Sequence, residues 1–349
     1  MIWDERIISE IELSGHLSDP RSSSLIERVG ALIEHQKQTW PMLAAGYRAF
    51  GAIDSKRIEV GESEIVVQHN PKRLVSTAAA VDQASVKARK CFLCADALPP
   101  KEKGIAYGEM VILCNPFPVL DRHLSIVHRD HIEQKIAGNL EIALRLATEL
   151  SPDYFVLYNG PRCGASAPDH LHFQACSRAL LPIEETIRRS SFEDGASQCS
   201  VCEQSTIQGL DVFTINDTGR NLIVFGGGSL DEVAGWVEAA LAELSAGSPN
   251  VEPMVNLICT YDRPRWTVYL FPRARHRPAC FYSEGSDRLL VSPGAIDMAG
   301  VLVLPEREHF DRIGANEINT IFSEVSLSED EVNEVTERVC LAMGAEEIK

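Results

Sequence analysis

The strongest constraint on the fold is a change of hydrophobic period near residue 61. Before it, Leu25, Val29, Leu32 and Ile33 recur at the spacing of one helix face. This predicts a helical amino-terminal cap over residues 1–60. From Ile65 onward the apolar residues come in short runs: Ile65-Val66-Val67, Met110-Val111-Ile112-Leu113, Leu124-Ser125-Ile126-Val127 and Tyr154-Phe155-Val156-Leu157-Tyr158. Each run is bounded by Gly, Pro, Asn or charged residues, the punctuation of β-strands. Between the third and fourth, Leu140, Ala143, Leu144 and Ala147 share a helix face. Strands and helices thus mix without the regular alternation of a doubly wound sheet, and the expected class is α+β.

A polar stretch over residues 190–208 leads to a second region with the same mixture. There a strand at Leu222-Ile223-Val224-Phe225 precedes a helix that opens with Ser229 and Glu232 at capping-box spacing. Val233, Trp236, Val237, Ala240, Leu241 and Leu244 line one face of that helix, and Ser245-Ala246-Gly247-Ser248-Pro249-Asn250 ends it. Strands around residues 255–260 and 266–271 flank Tyr261-Asp262-Arg263-Pro264 as a hairpin. A last helix is capped by Ser328 and Glu331, with Val332, Val335 and Val339 inward. The expected organisation is a cap (1–60), a first domain (61–189), an insertion or linker (190–208) and a carboxyl-terminal domain (209–349). One echo suggests two related half-domains. The strand, the turn Asn115-Pro116-Phe117-Pro118 and the strand ending in His128-Arg129-Asp130-His131 are matched by the later hairpin ending in Arg273-Ala274-Arg275-His276.

Composition narrows the function. A chain of 349 residues, 45% of them apolar, can bury one large core or two smaller ones. A formal net charge of −17 excludes a sequence-independent hold on nucleic acid, which needs a basic face. A phosphate-bearing ligand must therefore be small and met by a local group of cations. The start, Met1-Ile2-Trp3-Asp4-Glu5-Arg6, lacks a secretion signal, and no apolar stretch is long enough to span a membrane. Ten cysteines in that context read as reduced thiols or metal ligands, and the expected compartment is the cytosol.

The segment that carries chemistry follows the fourth strand: Tyr158-Asn159-Gly160-Pro161-Arg162-Cys163-Gly164-Ala165-Ser166-Ala167-Pro168-Asp169, then His170-Leu171-His172-Phe173-Gln174. It starts as a Gly-rich loop and ends in strand alternation, which would put His170, His172 and Gln174 on one face. A neutral imidazole can attack phosphorus when its other nitrogen donates to a carbonyl. The loop around Gly164, with Ser166, can hold phosphate oxygens. Gln174 can donate a hydrogen bond but cannot protonate a leaving group, which suits departure of a stable phosphate anion. The bland alternative is a pair of polar positions on a half-exposed strand.

The run from Gly164 to Gln174 resembles the active-site signature of the histidine triad superfamily, in the branch of galactose-1-phosphate uridylyltransferases, diadenosine tetraphosphate phosphorylases and GDP-galactose phosphorylases. Asn115-Pro116-Phe117-Pro118-Val119-Leu120-Asp121-Arg122-His123-Leu124 resembles the strand-turn-strand segment of the phosphorylases. Trp266-Thr267-Val268-Tyr269-Leu270-Phe271-Pro272-Arg273 and Asp297-Met298-Ala299-Gly300-Val301-Leu302 resemble their carboxyl-terminal domain. Coverage is residues 61 to 315. The resemblance implies an antiparallel sheet with packed helices, His172 as covalent nucleophile and Gln174 on a phosphate oxygen. Asp169 departs from the uridylyltransferases as an extra residue before the first histidine.

Cys91-Phe92-Leu93-Cys94 has zinc-knuckle spacing and needs two more ligands. The resemblance supplies His131, preferred over His128, and His170, for a structural zinc; two reduced loop cysteines are the alternative. Cys199 and Cys202 read as a surface loop. Asn70-Pro71-Lys72-Arg73 resembles a phosphate-holding segment, and Arg273, Arg275, His276 and Arg277 form the densest cationic group. With Asn115, Asn159, Gly164 and Ser166, residues Asn70, Lys72, Arg73, Arg273 and Arg275 make up the expected substrate contacts; solvated hairpin ends are the alternative for the cations. Gly226-Gly227-Gly228 before a helix reads as a flexible turn, with a phosphate loop as the alternative. The expected function is a nucleotidyltransferase or phosphorylase that cleaves a nucleoside diphosphate sugar or dinucleoside polyphosphate through a nucleotidyl-histidine. Phosphate or a sugar phosphate would accept the nucleotide, and a homodimer is compatible. The alternatives are a hydrolase of the same superfamily and a non-catalytic, zinc-containing nucleotide-binding protein.

Overall fold

A computed structural model describes residues 3–19, 24–78, 83–192, 205–207, 210–217, 219–245, 248 and 251–344. Cys199 and Cys202, most of the 190–208 stretch, and Ala246, Gly247, Pro249 and Asn250 of the expected linker lie outside these residues. The strands are β1 (Asp54–Val60), β2 (Ser63–His69), β3 (Gly104–Tyr107), β4 (Met110–Cys114), β5 (Leu124–His128), β6 (Tyr154–Asn159), β7 (His172–Ser177), β8 (Ser205–Ile207), β9 (Leu210–Asp217), β10 (Arg220–Gly227), β11 (Val255–Asp262), β12 (Arg265–Pro272) and β13 (Val301–Leu304).

Ten of them form one antiparallel sheet in the order β3-β4-β5-β7-β6-β11-β12-β10-β9-β8. The order contains a duplication. In the first half, three strands run to a helix (Leu140–Glu149) and two more follow, giving 3-4-5-7-6; in the second, β8, β9 and β10 run to the helix Leu230–Leu244, and β11 and β12 follow, giving 8-9-10-12-11. The halves join where Leu157 of β6 pairs with Ile258 of β11. Two related half-domains are therefore present, but the sequence echo put them out of register. The counterpart of the β11–β12 hairpin is β6–β7, which carries His172, and not the β4–β5 hairpin. The apolar alternation is alike in every hairpin, so pattern alone cannot tell which pairs correspond.

The two faces of the sheet are buried differently. One packs Ile112, Ile126, Phe173, Phe225 and Leu257 against the helices Leu25–Thr39, Leu140–Glu149, Leu230–Leu244 and Glu329–Ala342. The other packs Phe155, Leu157, Cys176 and Val224 against a small sheet, β1-β2-β13, and the helix Ala315–Val325. That small sheet draws one strand from each of the segments 1–60, 61–189 and 209–349. Residues 54–60 are thus a strand, not part of a helical cap: Ile58 pairs with Ile65 across the two-residue turn Gly61-Glu62. The Gly226-Gly227 pair lies inside β10, opposite Thr267 and Trp266, and not in a turn. The Ser328 and Glu331 capping box is formed in full. Among the described residues no helix is long and apolar enough to cross a membrane.

Candidate functional site

β7 lies between β5 and β6, and its register decides which side chains face which layer. Phe173 is buried among the helices, so its neighbours His172 and Gln174 face the opposite layer. A slip of one residue would drive both into the apolar core. His170 does not extend this row, as alternation alone predicted. β7 begins at His172, and the His170 ring turns toward Cys91 and Cys94, with Nδ1 3.3 and 3.6 Å from their sulfurs.

The imidazole of His172 has one defined tautomer. Its Nδ1 lies 2.8 Å from the carbonyl oxygen of His170, which can only accept, so Nδ1 carries the proton and Nε2 the lone pair. Burial pushes the His172 pKa down to about 4, so the ring is neutral at pH 7. Gln134 holds the strand here: its Oε1 accepts from the His172 N–H at 2.8 Å, and its Nε2 donates to the carbonyls of His172 and Asn159.

Beside it, Gln174 accepts from His123 Nε2 at 2.6 Å. Ser125 pairs with Gln174 across β5 and accepts from Asn115 Nδ2 at 3.3 Å, while Asn115 Oδ1 accepts from the Phe117 N–H. The loop from Gly160 to Leu171 folds over the end of β6 through Ala165 N–H to Gly160 O. Gly164 sits at φ 115°, and a Cβ there would lie 2.9 Å from Gly294 Cα and 3.0 Å from Asn159 Oδ1. Only glycine satisfies both the left-handed backbone and the close approach. Asn159 Oδ1 accepts from Asn256 Nδ2 and the Ala295 N–H, each at 2.8 Å. The Ser166 carbonyl accepts from Arg89 at 2.9 Å.

The expected cationic clamp divides. Arg273 is 3% exposed, and all five of its N–H groups are engaged. They donate to the carbonyls of Val325, Pro293, Arg275 and His276 and to Asn256 Oδ1. It is a brace behind the loop, not a phosphate contact, because a carbonyl cage of this kind already satisfies every donor. Arg275 is exposed. Asn70 is likewise structural: Oδ1 caps the Lys72 N–H and Nδ2 donates to Pro118 O. Lys72 is exposed, whereas half-buried Arg73 lies near enough to His123 and Asp297 to bias both electrostatically. Sequence reasoning did not single out Gln134, His123, Asn256 or Asp297. His123 and Asp297 each had one signal, a place in a segment that resembles the family.

Cys91, Cys94, His131 and His170 bring one ligand atom each within 4.8 Å of one another. A tetrahedral metal at ordinary metal–sulfur and metal–nitrogen lengths separates sulfur from nitrogen by about 3.6 Å. Cys94 Sγ lies 3.3 Å from His131 Nδ1, so the set fits such an ion. His170 Nε2 donates to the His128 carbonyl at 2.8 Å, which leaves Nδ1 as the ligand atom. His128 stays outside the group, its Nδ1 accepting from the Asp130 N–H. Asp169 is placed on the far side of His131, with Oδ2 3.4 Å from Nε2, the position of a carboxylate that orients a metal-bound histidine.

Burial also pushes His123 and His276 down to about 4, with Arg73 adding to the effect on His123 and Arg277 to that on His276. Unfolded histidine titrates near 6.5. Between those values the unfolded chain binds more protons, so their contribution is complete above pH 6.5 and is lost as pH falls toward 4. Because the buried Glu102 carboxyl, pushed up to about 8, acts in the opposite sense, the ring's share is read by difference: the wild type should lose more melting temperature between pH 6.5 and pH 4.5 than His276→Phe, and equal losses would contradict the burial of that ring.

Two family models match the chain. One, described as a domain of unknown function (DUF4922), covers residues 32–177, and the other, described as GDPGP1-like, C-terminal domain, covers residues 194–346. Their junction falls between β7 and β8, where the two halves of the sheet meet in sequence. GDP-L-galactose phosphorylase 2 of Arabidopsis thaliana is 29% identical over 244 residues, 67% of this chain and 52% of the relative. GDP-L-galactose phosphorylase 1 of the same plant is 28% identical over 246 residues, 67% of this chain and 50% of the relative. The chain thus spans about half the length of these curated relatives. Yeast Ap4A phosphorylase Apa2 in complex with AMP shares the fold, with a TM-score of 0.52 at 16% identity over 86% of this chain and 96% of that one. With the duplicated antiparallel sheet and the His-x-His-x-Gln segment, these matches bear out the resemblance to the nucleotidyltransferase and phosphorylase branch of the histidine triad superfamily.

Proposed function

We propose that the protein is a phosphorylase that splits a nucleoside diphosphate sugar through a nucleotidyl group held on His172. The observation that carries this reading is the neutral His172 ring with its proton fixed on Nδ1 and its lone pair on Nε2. Nε2 attacks the α-phosphorus, an N–P bond forms, and the bridging P–O bond breaks to release the sugar 1-phosphate as an anion. The ring becomes cationic, and its Nδ1–H strengthens toward the His170 carbonyl. An oxygen of inorganic phosphate then attacks the same phosphorus, the N–P bond breaks, and a nucleoside diphosphate leaves with His172 neutral again. No proton has to be supplied by the residue at position 174, which agrees with an amide there.

The names of the curated relatives make a guanosine diphosphate hexose the first substrate to test. The shared fold with an Ap4A phosphorylase supports a dinucleoside polyphosphate as a second reading. With a GDP-hexose and phosphate, the expected products are GDP and hexose 1-phosphate, identified by mass spectrometry. Equal turnover without phosphate, giving GMP, would replace phosphorolysis by hydrolysis. Binding without turnover on any sugar nucleotide or dinucleotide would leave a nucleotide-binding protein.

The Cys91, Cys94, His131 and His170 group is proposed to hold zinc, which when bound fixes the segment before β7 and takes no part in the reaction. Elemental analysis should find one zinc per chain, and Cys91→Ser should lose it. Asp169→Asn should weaken zinc binding by about 10-fold or more; unchanged affinity would remove Asp169 from the metal's surroundings.

A further inference from the structure

We infer that His123 is a positioning residue that fixes which end of the Gln174 amide faces the reacting phosphate. The argument does not depend on how the amide atoms are labelled. His123 is 1% exposed, and its Nδ1 lies 3.2 Å from the Val119 backbone nitrogen. A peptide N–H can only donate, so Nδ1 is the acceptor and a neutral His123 carries its proton on Nε2. Nε2 lies 2.6 Å from the Gln174 amide, and the atom it meets must be the oxygen. The NH2 group of Gln174 is then directed away from His123, on the face it shares with His172. A flipped amide would set two donors against each other and turn a carbonyl oxygen toward an anionic phosphate, losing a hydrogen bond and adding repulsion.

The neutrality of His123 has a structural source. Burial and the nearby Arg73 both disfavour an imidazolium, and a second proton on Nδ1 would also oppose the Val119 N–H. Val119 is supplied by the turn between β4 and β5, and Gln174 by β7. One ring therefore couples the turn to the catalytic strand, and the turn sets the polarity of a group two residues from the nucleophile.

This inference rests on the phosphorylase reading for its kinetic consequence, and its test has one arm that does not. In the kinetic arm, His123→Phe should lower kcat by about 10-fold with KM for the sugar nucleotide little changed, because the misdirected donor matters most where charge develops. His123→Gln, which keeps a donor near the same place, should recover most of that loss. In a Gln174→Ala background, His123→Phe should cost less than about 2-fold, since its only route to the reaction is gone. Losses that multiply independently would overturn the assignment.

In the spectroscopic arm, long-range proton–nitrogen NMR of 15N-histidine-labelled protein should show His123 as the Nε2–H tautomer from pH 8 to pH 5. The Gln174 side-chain amide signal should shift in His123→Phe. An Nδ1–H tautomer, or an unmoved Gln174 signal, would overturn the inference even in a protein with no turnover. Absence of turnover by the wild type would count against the function alone.

Discussion

Replacing His172 with asparagine is expected to lower kcat/KM for the cleaved nucleotide on the order of 10,000-fold, with the melting temperature nearly unchanged. Asparagine fits the same polar surroundings and can still donate to the His170 carbonyl, but it offers no basic nitrogen to phosphorus. Residual rate would come only from direct attack by phosphate on a substrate held by the loop. Rapid quench with labelled sugar nucleotide, in the absence of phosphate, should trap an acid-labile protein adduct in the wild type and none in His172→Asn. Wild-type-like turnover in the variant would remove His172 from the role of nucleophile. Because burial holds the ring neutral with a pKa of about 4, the rate should not fall between pH 8 and pH 6 through protonation of this group.

The duplication accounts for a long loop in one half of the sheet and its lack in the other, among the described residues. β6 and β7 are joined by the long loop that carries Gly164, Ser166 and the residues that lead to His172. Their counterparts β11 and β12 are joined by Arg263 and Pro264 alone, since Asp262 already pairs with Arg265. A two-residue turn has no room for a phosphate loop. The second half instead contributes support: Asn256 of β11 reaches across to Asn159 Oδ1 and Cys163 O, behind the loop of the first half.

What could be read from the sequence follows the range of the forces involved. The runs that became β4, β5, β6, β10 and β11 are nearly all apolar because both faces of the sheet are covered, so composition announced them. β1 and β9 alternate with charged and polar residues, and β13 is four residues long; none stands out from a loop by local pattern. His172 was reached through the family resemblance, and its carbonyl partner, two residues away, is the local contact that fixes its tautomer. His123 and Gln174 were not legible as a pair, because they lie 51 residues apart and meet only through β5–β7 pairing. The Cys91, Cys94, His131 and His170 group was reached through family resemblance, with the spacing of the cysteines as its only local sign.

Arg273 was misread for the same reason, and it supplies the other large effect. Three arginines close together in an acidic chain suggest a phosphate clamp, but two of the four carbonyls that occupy Arg273 come from Val325 and Pro293, 52 and 20 residues away. Arg273→Met fills the volume and removes every donor, so Asn256 Oδ1 and the buried carbonyls lose their partner. The expected cost is about 3 kcal/mol or more, a fall in melting temperature of roughly 4 °C or more by thermal denaturation. Asn256, freed on one side, also loosens its hold on Asn159 and Cys163, so activity should fall together with stability. Arg275→Ala, at an exposed position, should change stability by less than about 0.5 kcal/mol. The two variants thus separate a brace from a clamp: if Arg273 held a substrate phosphate directly, Arg273→Met would raise KM at an unchanged melting temperature. The geometry requires the reverse, because an arginine with five satisfied donors has none left to give.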